Sequence, residues 1–530
     1  MSNVSTSSLD ERVFDYAVIG GGTAGCVLAN RLSADPSRSV VLIEAGVREV
    51  ADAIGCPLRD SSRLILEGYN WDYEAQLIRA RADGSPARSP KSFPYRLGKT
   101  LGGSSAVNGA VALIGFASDF DRWAAAGCTV WGWSDVEPWF RAIDGCERRN
   151  SDAAIQSPLR LRFPEQSQLH SLDRAFIRAC VDAGVPFIDC INRGEEPAVG
   201  LSPANVGPAA ERINLFQSYV QPVLHRPNLV ILTEAMANRV KTVGNRATGV
   251  EISQSGRALE IHSRNVVLSA GAVGTPLLLQ RSGIGDAPQL RSLDIPIVSH
   301  LPAIGKNLSD HASVVLWAVP KSKEVHEPRP WRQVVARTPS GIDKEIDVQL
   351  GLLNNVVSER IPAMRARTND PALIGATVML MRPEARGRVA WRGPRQPPLI
   401  ELPVTSSEVD VARLAGGVRQ MWRLLQHPDV KENVESVRFW SEAVVANDDT
   451  LRSAVSNLAN PGWHACGTVR MGSKEDKSTA VDERGAVHGL RGLFVSDASI
   501  FPSIPSMPTN LTVIMTAERI ADFILNGSVR

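Results

Sequence analysis

Cysteine is scarce in this chain and charge of neither sign dominates. Seven cysteines (Cys26, Cys56, Cys128, Cys146, Cys180, Cys190 and Cys466) are scattered over 530 residues. Their number is odd and no two stand in C-x-x-C spacing, which argues against a disulfide framework, a zinc or other metal site, and a redox cysteine pair. Lys and Arg total 58 against 56 Asp and Glu, a net charge of +2. That balance creates no field to attract nucleic acid or an anionic membrane. No apolar run approaches the roughly 20 residues of a membrane span, and Met1 to Arg12 is polar, without the apolar core of a secretion signal. A cytoplasmic protein with reduced thiols is the expectation. Repeats and low-complexity tracts are also missing. What the chain does have is length, enough for two or more domains or one large domain with insertions.

The most informative segment comes first. Asp15–Ile19 is short and apolar, as a buried parallel strand should be. It leads into Gly20-Gly21-Gly22-Thr23-Ala24-Gly25, a G-x-G-x-x-G turn, then a helix-like stretch to Leu32 and a second apolar strand, Ser39–Ile43, ending on Glu44. Gly20 serves the tight turn, Gly22 lets backbone approach a pyrophosphate, and Gly25 lets helix pack on strand. Phosphates favour the positive helix N-terminus. An acid about 20 residues further on suits a ribose hydroxyl. Strand, turn, helix, strand and acid together predict a dinucleotide site; a glycine turn without ligand is the plainer alternative.

Three more blocks narrow the reading. Gly98–Gly109 packs paired glycines and serines into a loop able to turn N–H groups and hydroxyls toward phosphate or a flavin edge. Ser269–Pro276 repeats the strand-to-small-residue-turn pattern after Asn265–Leu268. Gly492–Ser499 reads as a strand ending in Asp497, so the chain returns to its first fold at its end.

These blocks, with Pro302–His311 and His464-Ala465-Cys466-Gly467-Thr468, resemble the glucose-methanol-choline (GMC) family of FAD-dependent alcohol oxidoreductases. The resemblance covers 13 to about 311 and about 375 to 525. It implies an α/β plus α+β fold: a Rossmann-like FAD-binding domain from 13–155, 203–311 and 455–530, and an antiparallel-sheet substrate-binding domain from 156–202 and 312–454. It implies FAD held by Gly20, Gly22, Thr23, Ala24, Gly25, Glu44, Ala45, Leu101, Gly102, Ser105, Asn108, Gly109, Ala237, Asp497, Ala498, Thr509 and Asn510. Val107 stands where some relatives carry a histidine that tethers FAD, so the FAD is expected to be noncovalent.

For the chemistry, an alcohol must lose a proton from oxygen and a hydride from carbon, and histidine suits the base because its reference pKa is about 6.5. His464, in a Pro-Gly-bounded loop, matches the family's H-x-x-G-T segment and takes that role by resemblance; a hydrogen-bonded structural histidine is the bland alternative. His311 matches a family motif in a supporting place. The partner position opposite the base falls on Pro508, which has neither side-chain donor nor N–H, unless a slipped loop brings Asn510 there. A proline here resembles the pyridoxine 4-oxidase branch, and suggests that Pro508 packs against the ring of an activated, aromatic hydroxymethyl substrate. Cys466 reads as a small buried thiol.

Trp317, Trp331 and Trp391 are pocket candidates that serve equally as core. No phosphate clamp or cation-binding aromatic box is evident. The expectation is oxidation of a small primary alcohol, with O2 or another acceptor taking the electrons. The alternatives are a non-redox lyase of the hydroxynitrile lyase type and an aliphatic alcohol or choline-type dehydrogenase.

Overall fold

The computed structural model describes residues 12–527 apart from 49–55, 62–65, 81–84, 145–157, 322–331, 343, 359–363, 365–368 and 370. Trp331 lies outside the described residues.

One seven-stranded sheet is built around Val13–Ile19. This strand is nearly all buried, which explains why it reads as a continuous apolar run. Val40–Ile43 and then Leu229–Leu232 lie parallel on one side of it. Arg257–Leu268 lies parallel on the other. The first half of that long strand pairs antiparallel with Arg246–Gln254, and its last three residues pair parallel with Leu493–Val495. Register then selects the residues that reach the cleft. Ile19 stands opposite Ile43 and Leu268, and Leu268 opposite Val495. The residues that come next, Gly20, Glu44, Ser269 and Ser496-Asp497, therefore leave the sheet along one edge, the carboxyl edge where open α/β sheets bind ligands.

The turn after Ile19 works by close approach. Gly20 has φ +102°, and a Cβ on Gly25 would sit 1.8 Å from the Gly20 carbonyl oxygen. The helix Thr23–Leu32 buries Ala24 through Ala29 and Leu32 and packs on the closing helix, Asn510–Asn526.

A second, eight-stranded sheet faces the first. Its order is Val434–Val437, Ala312–Pro320, Ala372–Leu380, Val348–Val357, Val334–Thr338, Ala198–Leu201 and Phe187–Ile188, with Asn460–Pro461 added beside Ala312–Ser313. The helix Glu408–Leu425 covers it, burying Val411, Leu414, Val418, Met421 and Leu425 at helical spacing. Third comes a five-stranded sheet in which Asn70–Ala80 pairs with Leu399–Thr405 and Phe93–Gly98.

The strands Ala372–Leu380 and Arg388–Ala390 are neighbours in sequence but do not pair with each other: Ala372–Leu380 joins Ala312–Pro320 and Val348–Val357, while Arg388–Ala390 pairs with Leu399–Thr405. The sheets' order is set by longer connections. The strands Asn70–Ala80 and Phe93–Gly98 pack with the second hydrophobic core, around Ala75, Leu77 and Tyr95. Cys190 is disulfide-bonded, whereas Cys26, Cys56, Cys128, Cys180 and Cys466 are free and buried; spacing in sequence cannot reveal a pair that only folding brings together.

Candidate active site

A cavity of about 1560 Å³ lies between the carboxyl edge of the first sheet and the face of the second. Small-molecule sites usually measure roughly 300–1,000 Å³, so this one has room for a dinucleotide and a second molecule. Gly20, Gly22, Thr23, Ala24, Glu44, Ala45, Asn108, Gly109, Ala237, Asp497, Ala498, Pro508, Thr509, Asn510 and His464 all line it. Four other predicted residues stand behind the wall and support it. Gly25 holds helix to strand. Leu101 is buried against Gly21. The Gly102 N–H donates to the Gly21 carbonyl at 2.8 Å. The Ser105 hydroxyl donates to Gly102 O at 2.6 Å and accepts from Leu215 N–H at 3.0 Å.

The nucleotide end is built mainly from backbone. Glu44 accepts the N–H groups of Gly21 and Gly46, each at 2.7 Å. Burial pushes its pKa up to about 7, against the pull of those donors. Asp497 accepts from Gly271 N–H (2.9 Å), Thr275 Oγ1 (2.6 Å) and Ser499 N–H (2.8 Å), joining the middle and final blocks. Gly103 meets Gly22 so closely that a Cβ on it would stand 2.6 Å from the Gly22 Cα. Arg212, which no sequence motif marks, is fully buried and gathers the loop by donating to the Ala106 and Asn108 carbonyls at 2.8 and 2.7 Å.

These features fit a flavin dinucleotide. Gly22 is open toward the cavity, with only the Gly103 Cα within 4 Å of a Cβ built on it. Asn510 accepts from Thr23 Oγ1 at 3.2 Å, yet its Nδ2 has no partner, which leaves a buried donor for a ring heteroatom. The contact with Thr23 also ties Asn510 to the glycine fingerprint. Val107 lines the cavity with an alkyl side chain.

The opposite end is built from side chains. Ala312 pairs with Pro461 and Ser313 with Asn460, so the residues just before one segment and just after the other meet: His311 and His464. Their rings stand edge-on, with Nδ1 to Nδ1 at 2.9 Å. His311 Nε2 lies 3.0 Å from the Pro505 carbonyl oxygen. A carbonyl only accepts, so His311 Nε2 carries the proton and its Nδ1 accepts. His464 Nδ1 must then be the donor, which leaves His464 Nε2 as a bare lone pair. That atom has no hydrogen bond among the described residues, and His464 lines the cavity.

Burial first, then the positive charge of Arg332, lowers the His464 pKa to about 4; burial and the neighbouring His464 also hold His311 well below its usual value. Both rings are neutral at neutral pH, as this tautomer chain requires.

Two buried carboxylates hold the pair in place. Asp310 accepts from the His464 N–H at 2.8 Å and the Tyr95 hydroxyl at 2.6 Å, and burial raises its pKa to about 6. Asp119 accepts from the N–H and hydroxyl of Ser506, each at 2.6 Å, so the helix Ala117–Ala125 pins the loop that carries Pro505 and Pro508. Trp463, beside His464, has φ +60°, a left-handed conformation that non-glycine residues keep only where surrounding contacts enforce it. Cys466 is fully buried, and burial holds its thiol protonated.

A dinucleotide cleft roofed by a second sheet, with a neutral imidazole on its wall, is the architecture of an oxidoreductase acting on a small molecule. The profile described as GMC oxidoreductase matches residues 14–313 and 383–517, and the chain belongs to that family of FAD-dependent alcohol oxidoreductases. It is similar to the 5-(hydroxymethyl)furfural oxidase of Methylovorus sp. (strain MP688), 30% identical over 98% of this chain and 99% of the relative. The oxygen-dependent choline dehydrogenase of Serratia proteamaculans is 32% identical over 96% and 95%. Among solved structures, pyridoxine 4-oxidase from Mesorbium loti superposes with a TM-score of 0.84 at 26% identity, covering 96% of this chain and 98% of that one. No described helix is long and apolar enough to cross a membrane.

Proposed function

We propose that this enzyme oxidises a small primary alcohol, an aromatic or heteroaromatic hydroxymethyl compound, to the aldehyde, with His464 as the base. The observation that carries the reading is the proton chain from the Pro505 carbonyl through His311 to His464, which supports an Nε2 lone pair facing the cavity. FAD supplies the chemistry of accepting the hydride that leaves the carbinol carbon. The chain's own groups do the rest. His464 Nε2 takes the hydroxyl proton as the hydride departs, and the resulting imidazolium keeps its Nδ1 proton on His311. Asp310 and Gly462, through their bonds to the His464 and His311 backbones, fix the ring's position. Pro508 contributes shape and exclusion of water, since it offers no donor. An aromatic hydroxymethyl suits a site with a single base because its ring conjugates the positive charge that develops at carbon. With FAD bound, O2 or another acceptor would take up the electrons. Gly20, Gly22, Thr23, Glu44, Asn108, Asp497 and Asn510 are the residues proposed to hold the FAD.

The test is anaerobic mixing of holoenzyme with benzyl alcohol, pyridoxine, 5-(hydroxymethyl)furfural, choline and short aliphatic alcohols. Bleaching of the oxidised flavin band by the aromatic members, with aldehyde formed in equal amount, is the expected result. Cleavage of a cyanohydrin without bleaching would instead establish the lyase reading.

A further inference from the structure

The face of the second sheet that closes the cavity carries a charged group that belongs to no sequence motif. Arg332 lines the cavity beside the strand Val334–Thr338 and is 8% exposed. Its Nη2 donates to Thr377 Oγ1 at 2.8 Å, and Thr377 passes its own proton to the Gly351 carbonyl at 2.9 Å. Nε is buried with no partner, and Nη1 has no hydrogen bond among the described residues. No ion pair joins this guanidinium to a described carboxylate within 4.0 Å. The acid whose charge it feels is Asp173. Asp173 is itself buried, with one oxygen taken by the Asn354 amide at 2.8 Å and the other without a hydrogen bond, and it makes no ion pair with the guanidinium within 4.0 Å. A buried charge with no acid in direct contact is costly unless something else helps to neutralise it.

Arg332 and His464 line the same cavity, and the charge of the guanidinium is felt at the imidazole. Thr377, the partner of Arg332, is two residues from Met379 on the strand Ala372–Leu380, and both line the cavity. Met379 Cε lies 3.3 Å from a Cβ built on Gly462, two residues before His464. Gly351 leaves the floor under the guanidinium bare: even a methyl there would come within 3.8 Å of its Cζ and Nε.

We propose that Arg332 binds a carboxylate on the substrate, so that the alcohol this enzyme takes is an aromatic hydroxymethyl carboxylate, with the carboxylate on Arg332 and the hydroxymethyl at His464. This rests on the alcohol-oxidation reading and names its substrate class. The planar fork of a guanidinium matches a carboxylate with two parallel hydrogen bonds. A quaternary ammonium substrate, by contrast, would meet a like charge in the same cavity.

The experiment compares 4-(hydroxymethyl)benzoate with its methyl ester and with benzyl alcohol in anaerobic flavin reduction, using wild type, Arg332→Gln and Arg332→Lys. Wild type is expected to favour the acid over the ester by at least about tenfold in kcat/KM, mostly through KM. Arg332→Gln should bring that ratio close to one, and Arg332→Lys should restore part of it. Separately, benzoate and benzamide are titrated into oxidised wild-type holoenzyme and followed by the flavin spectrum, which needs no variant to fold. Benzoate is expected to bind at least about tenfold tighter. Equal treatment of acid and ester by wild type, or equal binding of benzoate and benzamide, overturns the proposal while leaving alcohol oxidation standing. Tight, Arg332-dependent benzoate binding with no bleaching by any alcohol upholds the anion site and overturns the alcohol reading instead.

Discussion

The two ends of the cavity are made of different material. The nucleotide end is backbone: strand ends in register, glycines pressed against one another, and buried acids holding N–H groups. The reacting end is side chain: His464, His311 and Arg332 arrive from three separated segments and meet only because Ala312 pairs with Pro461 and Arg332 reaches across to Thr377. Backbone geometry tolerates no substitution that adds volume, whereas a side-chain constellation tolerates loss of a member and changes its chemistry. Function should therefore fail differently at the two ends.

The sharpest way to test that contrast is His464→Ala. Substrate-driven flavin reduction should fall about 10²–10⁴-fold in stopped-flow measurements, with FAD content unchanged; a variant turning over at near the wild-type rate would end the assignment of the base. Gly25→Ala is the converse case. Its methyl would collide with the Gly20 carbonyl, an overpacking cost of about 1–3 kcal/mol. FAD should be lost on dialysis, while whatever holoenzyme survives keeps a normal rate of reduction.

His311→Ala comes next. Removing the acceptor of the His464 Nδ1 proton should cost about ten- to a hundredfold in reduction rate, without loss of FAD. A smaller effect is expected from pH. The base must be neutral to accept a proton, and its pKa is lowered to about 4. The kcat/KM profile should stay level as pH falls through the ordinary imidazole range of about 6.5 and decline only near 4; Arg332→Gln removes a depressing charge and should move that limb upward. Smallest of all, denaturation followed by filtration should release all the flavin, because Val107 has no group to bond it. Flavin retained on the protein would overturn noncovalent binding.

Legibility in the sequence divides along the same line. The glycine turn, Glu44, the 98–109 loop and Asp497 were legible because each is a local pattern with one physical use. His464 stood out as a candidate through its loop and its resemblance, and Pro508 as a departure from the usual partner. Arg332 was not: an arginine before a strand looks like any surface arginine until burial and a missing counter-ion set it apart. Arg212 was hidden for the same reason, since a buried charge is recognised by its surroundings. The tautomer of His464 was beyond reach, because it depends on the Pro505 carbonyl, which reaches it only through His311 from a different loop.

The amino-acid order by itself determined the dinucleotide turn, the family of the chain and the choice of His464 as the proposed base, since strands, tight turns and glycine contacts are settled within a few residues of one another. Only the tertiary structure decided which nitrogen of His464 is free, what holds it there, and that an unpaired guanidinium shares its cavity. Those are properties of distance and burial, and they exist only once remote segments are brought into register and water is excluded from between them.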